Sequence, residues 1–229
     1  MTRVGVVTGL AAEARIAGRA AARHRSHPSI ACANARSAGA AAARLVEQGA
    51  DALISFGIAG GLAADLRPGA LVCADRVIGP DGAAAPTDAA WRHRVLRDAA
   101  AGGIAMVTGA VAGSDSVLAT AGDKRALADA TGALTVDMES HHVAAAALAA
   151  RIPWMALRAI ADPAHRTLPA AAVAALRDDG GIDVAAVVGR LCRRPWQLPA
   201  LIGLAVETRL GLGALRRAAR LRVVFCGPW

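Results

Sequence analysis

Ala52-Leu53-Ile54-Ser55-Phe56-Gly57-Ile58-Ala59-Gly60-Gly61 starts as an apolar run broken only by Ser55 and ends among glycines. Apolar side chains at consecutive positions, bounded by turn formers, describe a strand covered on both faces (52–56) that runs into a glycine turn (57–61). Outward from it the same rhythm repeats. On the N-terminal side, strands at 4–7 and 29–33 alternate with helices at 11–22 and 38–48. On the other side come a strand at 71–78, a turn-rich loop at 79–87, a helix capped by Asp88 that carries Trp91 and Leu96, and a strand at 104–111. Then follow a helix at 120–130, a strand at 134–136, a helix at 138–150 and a strand at 153–160 that leads into Ala161-Asp162-Pro163. Two helical pieces flank Asp178-Asp179-Gly180-Gly181, and the core is expected to close near Leu191. Short strands alternating with alanine-rich helices predict an α/β domain whose parallel strands are joined by crossover helices.

Composition narrows the class. With 229 residues, 55% of them hydrophobic and 19% charged, the chain has the profile of one folded α/β domain with an appendage. The formal charge of +8 would suit a polyanion if it formed a stripe, but seven Arg against one Glu place +6 of it in residues 193–229. The body is almost neutral, so nucleic acid is discounted as a partner. Lys124 is the only lysine, which reads as a coding bias toward arginine. Cys32, Cys73, Cys192 and Cys226 lie far apart without the Cys/His clustering of a structural zinc, which fits reduced thiols in the cytosol. The first residues show no export signal, and no uninterrupted apolar run approaches the ~20 residues of a membrane span. The expectation is a cytoplasmic protein that is not integral to a membrane.

Three acidic residues fall at the C-terminal ends of expected strands or just inside the next helix, where open α/β sheets place ligands. Glu13 follows Thr8-Gly9-Leu10, Glu139 lies in Val136-Asp137-Met138-Glu139-Ser140, and Asp162 ends Arg158-Ala159-Ile160-Ala161-Asp162. Singly, each has a structural explanation in helix electrostatics, solvation or turn capping. Together, in this order and with Phe56-Gly57-Ile58-Ala59-Gly60-Gly61-Leu62 between them, they resemble the superfamily of purine nucleoside phosphorylases and methylthioadenosine/S-adenosylhomocysteine nucleosidases, from residue 3 to about 191.

That resemblance implies a three-layer domain over residues 1–192, with a central mixed, mostly parallel sheet flanked by helices, and cleavage of a purine–ribose bond. Within it, Asp162 is the candidate general acid at the purine N7 edge. Glu13 is the candidate base that positions a water, and Glu139 the ligand of the ribose hydroxyls. Gly60, Gly61, Asp115 and Met138 complete the expected substrate contacts. Phosphate-using members carry an arginine before the glycine run, where this chain has Ser55 and Phe56, so water is the expected nucleophile. Inorganic phosphate stays open as a co-substrate through Arg15, Ser114 or Ser116. Val117 stands about where the nucleosidases place a base-stacking aromatic. No cofactor is expected, and no metal: His141 and His142 are adjacent, and a helical two-His site prefers i, i+3 or i, i+4 spacing. The resemblance also favours a homo-oligomer.

Residues 193–229 form a basic, amphipathic helical extension, with Leu198, Leu201, Ile202, Ala205 and Leu212 at near-helical spacing behind Arg193-Arg194-Pro195-Trp196. An apolar stripe with Trp at one end and arginines around it suits peripheral contact with an anionic membrane; packing on the chain's own domain or on a partner subunit is the equal alternative. The nucleosidase-like core, the Arg/Trp/Pro extension and the missing aromatic together resemble the hopanoid-associated subgroup. This implies a lipid-linked nucleoside, adenosylhopane, as substrate. A small soluble purine nucleoside, or a non-catalytic binding role on the same fold, are the competing readings.

Overall fold

Strand β3 (Ala52–Gly61) is the hub of the sheet, because its first half buries every side chain and must be covered on both faces. The computed structural model describes residues 3–24, 28–34, 36–173, 189–191 and 193–229. In the sheet, β3 lies parallel to β1 (Val4–Thr8) on one side and to β8 (Trp154–Asp162) on the other. Its C-terminal end pairs antiparallel with β7 (Thr135–Asp137). Beyond β1 lies β2 (Ser29–Cys32). β8 runs antiparallel to β4 (Leu71–Ile78), β4 parallel to β6 (Val107–Gly113), and β6 parallel to β7. The strands β3, β8, β4, β6 and β7 therefore close on themselves, and β5 (Ala84–Pro86) hangs on the edge of β4.

Helices cover both faces, as the apolar-through strands require. On one side α1 (Ala11–His24) supplies Ile16, Ala17 and Ala20, and α3 (Ala89–Ala101) supplies Trp91 and Val95. On the other, α2 (Ala38–Glu47) and α5 (Ser140–Ala150) pack alanines, Leu45 and Val143 against Val7, Leu53 and Ala156. Further helices among the described residues are α4 (Ala121–Thr131), α6 (Ala170–Val173) and α7 (Leu198–Ala218). The fold is thus the expected three-layer α/β arrangement with a mixed sheet and a C-terminal helix. Asp88 caps α3 as read from sequence, its side chain accepting from the N–H of Trp91 at 2.7 Å.

Several boundaries differ for visible reasons. The glycine stretch 57–61 is not a turn: it continues β3, because the strand pairs with β8 along its length and with β7 at its end. The loop 79–87 contains β5. β6 starts at Val107 rather than 104, since the N–H of Ile104 is spent closing α3 on the carbonyl of Ala99 at 2.8 Å. α5 starts at Ser140 rather than 138, because Asp137 Oδ1 captures the N–H groups of Ser140 (3.0 Å) and Glu139 (3.3 Å). The pieces expected around 178–181 lie outside the described residues.

The extension also differs from a simple appendage. Its second half enters the main core: Ala214, Leu215, Ala218, Val224 and Phe225 are buried among β1, β3 and β8 residues. Phe225 sets its ring edge to that of Phe56 at 5.4 Å, and Trp91 Nε1 donates to the carbonyl of Val223 at 2.9 Å. At Gly211 the helix approaches β8 so closely that a Cβ would sit 3.0 Å from the carbonyl oxygen of Ile160. The first half of α7 is different. Leu198, Ile202, Val206 and Leu210, four residues apart, are 48–56% exposed, and Trp196 just before them is 71% exposed. Pro195–Ala218 is long and apolar enough to cross a membrane by length and composition, and 17% of its most apolar window is buried.

Candidate active site

A cavity of about 220 Å³ opens where the strands end. Gly9, Leu10 and Glu13 enter it after β1, Ile58 to Gly60 from β3, Val136 to Glu139 from β7, and Ala161 and Asp162 from β8. Ser116, Val117 and Leu118 after β6, with Asn34, Lys124 and Leu168, complete the wall.

Arg158, fully buried on β8, organises one side. Its Nε pairs with Asp137 Oδ2, and its Nη2 donates to Ser55 Oγ and, at 3.0 Å, to Ser140 Oγ. Nη2 also lies 3.6 Å from Glu139 Oε2, long for a hydrogen bond but close for an ion pair. Nη1 and Glu13 Oε1 lie over Gly57, where a Cβ would stand 2.5 Å from the one and 2.8 Å from the other. This explains the first glycine of the run: any side chain would displace the Arg158 guanidinium and the Glu13 carboxyl. Burial pulls the Arg158 guanidinium down, but Asp137, Glu139 and Glu13 outweigh it and raise its pKa.

Glu13 is held by backbone. Oε2 accepts from the N–H of Gly9 (2.9 Å) and Leu10 (2.8 Å), and Oε1 accepts from the N–H of Ile58 (2.7 Å). Three of roughly four lone-pair positions are filled, leaving one for a ligand or water. Burial raises its pKa, while Ile58, Arg158 and the other two donors pull it back toward the carboxylate. Glu139 is pushed up to about 8, by burial first, with Arg158 lowering it and the neighbouring carboxylates of Asp137 and Glu13 raising it. These groups form a buried cluster of carboxyls around Arg158 at one end of the cavity.

At the other end Asp162 sits beside a one-residue bulge in the β3–β8 ladder, since Ala59 faces Ile160 but Gly60 faces Asp162. Bulges commonly re-aim a side chain beside a ligand site. Asp162 Oδ2 is paired with the buried Lys124 Nζ. Burial raises the pKa of Asp162, and Lys124 opposes that shift. Arg166, on the turn after β8, is paired with Glu207 of α7, which joins the C-terminal helix to the segment carrying Asp162.

The structure brings together Glu13, Gly60, Met138, Glu139 and Asp162 around one cavity. Gly61 lies beyond its wall. Asp115 does too: its Oδ1 faces His141 Nε2 (3.1 Å) and His142 Nε2 (3.5 Å) on a neighbouring groove. The two imidazoles do not diverge as adjacency suggested, because His141 folds back over the bare Cα of Gly113; the ring centroids lie 3.9 Å apart with the planes tilted by 38°. Their Nε2 atoms and Asp115 form a trio within 4.8 Å that has the donor set of a metal site among the described residues. The reading of the sequence missed the organising part of Arg158, Ser55 and Ser140, and gave Lys124 no role. The solitary lysine in an otherwise all-arginine set of cations was the available signal.

Residues 20–193 match the phosphorylase superfamily, and the chain belongs to that family. Among solved structures it is similar to the Helicobacter pylori 5'-methylthioadenosine/S-adenosylhomocysteine nucleosidase bound to butyl-thio-DADMe-Immucillin-A, at a TM-score of 0.67 and 15% identity over 95% of this chain and 97% of that one. The Streptococcus pyogenes S-adenosylhomocysteine nucleosidase gives 0.67 and 16% over 96% of each chain. Helicobacter pylori futalosine hydrolase gives 0.64 and 17% over 71% of this chain and 88% of that one. No curated protein matches the sequence.

Proposed function

We propose that the protein hydrolyses the N-glycosidic bond of a 5'-substituted adenosine, and that the substituent is a large apolar one, adenosylhopane giving adenine and ribosylhopane. The observation that carries the reaction is the set of three carboxyls, Glu13, Glu139 and Asp162, lining one cavity, each with its pKa raised. A raised pKa brings a carboxyl toward use as an acid or base, and breaking a C–N bond to ribose needs both. Asp162 protonates the departing purine. Glu139, beside Met138, binds the ribose hydroxyls and favours the positive charge growing on the sugar, as carboxylates do in glycoside cleavage. Glu13, with one lone-pair position left, orients and deprotonates the attacking water.

Water is preferred to phosphate because no arginine is among the described residues that line the cavity. Arg158 is engaged with Asp137, Ser55 and Ser140, and Arg15 is exposed with its Nε on the carbonyl of Ala11 at 3.1 Å. The apolar substituent is supported by the exposed Leu198–Ile202–Val206–Leu210 ridge, by Trp196, and by the surplus of arginines in the same segment. Such a surface fits the inner face of an anionic membrane, where a lipid-linked nucleoside would be met. The cell compartment proposed is accordingly the cytoplasm, with peripheral membrane contact.

The test is adenine release from adenosylhopane in detergent, from methylthioadenosine and from inosine, each with and without phosphate, for the native protein and Glu13→Gln. Release from the hopane alone, without phosphate dependence and lost in the variant, is expected. Phosphate dependence would replace the hydrolase by a phosphorylase, and activity confined to small nucleosides would remove the lipid substrate.

A further inference from the structure

We propose that Lys124 is a positioning residue for the acid step: it fixes Asp162 behind the leaving base and stabilises the carboxylate that remains when the proton departs. The inference rests on the proposed bond cleavage and adds a residue to it. Lys124 is 1% exposed on the first turn of α4. Its ammonium spends one donor on Asp162 Oδ2, one on the carbonyl of Pro163 at 3.1 Å and one on the carbonyl of Arg166 at 3.2 Å. A tetrahedral ammonium can point three donors at three acceptors around it, whereas a flat guanidinium cannot. That is a physical reason for one lysine in a chain whose other cations are all arginine.

A cation is not buried for stability alone, since its desolvation offsets most of what pairing supplies. Here its placement has a chemical consequence. With Oδ2 taken by Lys124, the free oxygen of Asp162, Oδ1, lies over Gly60 in the cavity wall. As the C1'–N9 bond breaks, its electron pair goes to the purine. N7 takes the proton from Asp162 Oδ1, and Asp162 becomes a carboxylate beside an ammonium that keeps its own three protons. Without that cation the new charge would form in a dry site with nothing opposite it. The charged groups facing Asp162 are Lys124 from α4, Arg166 from the turn after β8 and Glu207 from α7; the latter two are paired with each other, leaving Lys124 as the counter-ion.

The experiment compares Lys124→Met, Lys124→Arg, Asp162→Asn and the double variant Lys124→Met/Asp162→Asn by the pH profile of kcat/KM for base release, with thermal melting as the control of folding. Lys124→Met is expected to lower the plateau about 10²-fold. It should also move the alkaline limb up by about one pH unit or more, because removing a nearby cation weakens the acid. Lys124→Arg restores the limb more than the plateau, and in the Asp162→Asn background the lysine substitution costs less than about threefold more. A folded Lys124→Met enzyme with the native limb, or an equal loss in both backgrounds, overturns the proposal. A ¹³C titration of the Asp162 carboxyl needs no substrate: an unshifted midpoint in Lys124→Met refutes the pairing even if the native protein releases no base, a failure that would fall on the proposed function instead.

Discussion

Replacing Glu139 by Gln should flatten the dependence of stability on pH between about 5 and 9. In the folded protein the Glu139 carboxyl is raised from an ordinary 4.5 to about 8. Between those values the folded chain holds a proton that the unfolded chain has released, so stability is full below 4.5 and is lost as pH rises to 8. Each unit is worth about 1.4 kcal/mol, so the whole interval could remove on the order of 3–5 kcal/mol from a domain whose total stability is about 5–15 kcal/mol. Glu13 and Asp162 are shifted in the same direction and give the native curve the same sign, so the informative quantity is the difference between native and variant at each pH. Urea unfolding at pH 5, 6, 7, 8 and 9 measures it. At the acid end the folded Glu139 is neutral, as glutamine is, so its pairing with Arg158 adds little there and the two proteins should be of similar stability. The two curves should separate as pH rises, the variant gaining several kcal/mol relative to native by pH 9. A constant offset across the range would mean that Glu139 is ionised throughout and that burial does not raise its pKa.

Other consequences are separable. Gly57→Ala would drive a methyl to within 2.5 Å of Arg158 Nη1 and 2.8 Å of Glu13 Oε1, and should cost about 1–3 kcal/mol in urea unfolding together with most of the catalytic rate. Phe225→Ala removes a buried ring that packs on Phe56, and should cost about 3–5 kcal/mol in one cooperative transition, whereas a loosely attached extension would cost almost nothing. Ile202→Glu/Val206→Glu alters two exposed positions on α7; it should abolish sedimentation with phosphatidylserine-containing vesicles while leaving the melting temperature within about 2 °C of native.

The layers, the strand order along the chain and the acids at the strand ends were legible because each rests on a local signal: apolar runs, alanine-rich spacers and a carboxylate just past a strand. The glycine stretch was misread because a strand kept bare for Arg158 and Glu13 has the same composition as a turn, and only the pairing of residues 57–60 with β8 separates the two. Asp115 was misplaced because it lies in the bend after β6, where no periodicity tells which way a side chain points; Ser116 and Val117 reach the cavity while Asp115 faces the histidines. Phe225 gave no hint of its part in the core, since a contact with Phe56 across most of the chain leaves no periodic trace.

The arrangement of charge along the cavity gives the proposed cleavage its direction. On the side of Glu139 and Glu13, one guanidinium faces three carboxyls, so the surroundings favour positive charge to whatever degree those carboxyls are ionised. On the side of Asp162 the order is reversed, with a proton donor in front and an ammonium behind it. A bond lying between them and breaking toward a cationic sugar and a protonated base moves positive charge toward the acids and negative charge toward the lysine. Both displacements are downhill in the field that the folded chain has already fixed, and neither needs a side chain to move at the moment of reaction.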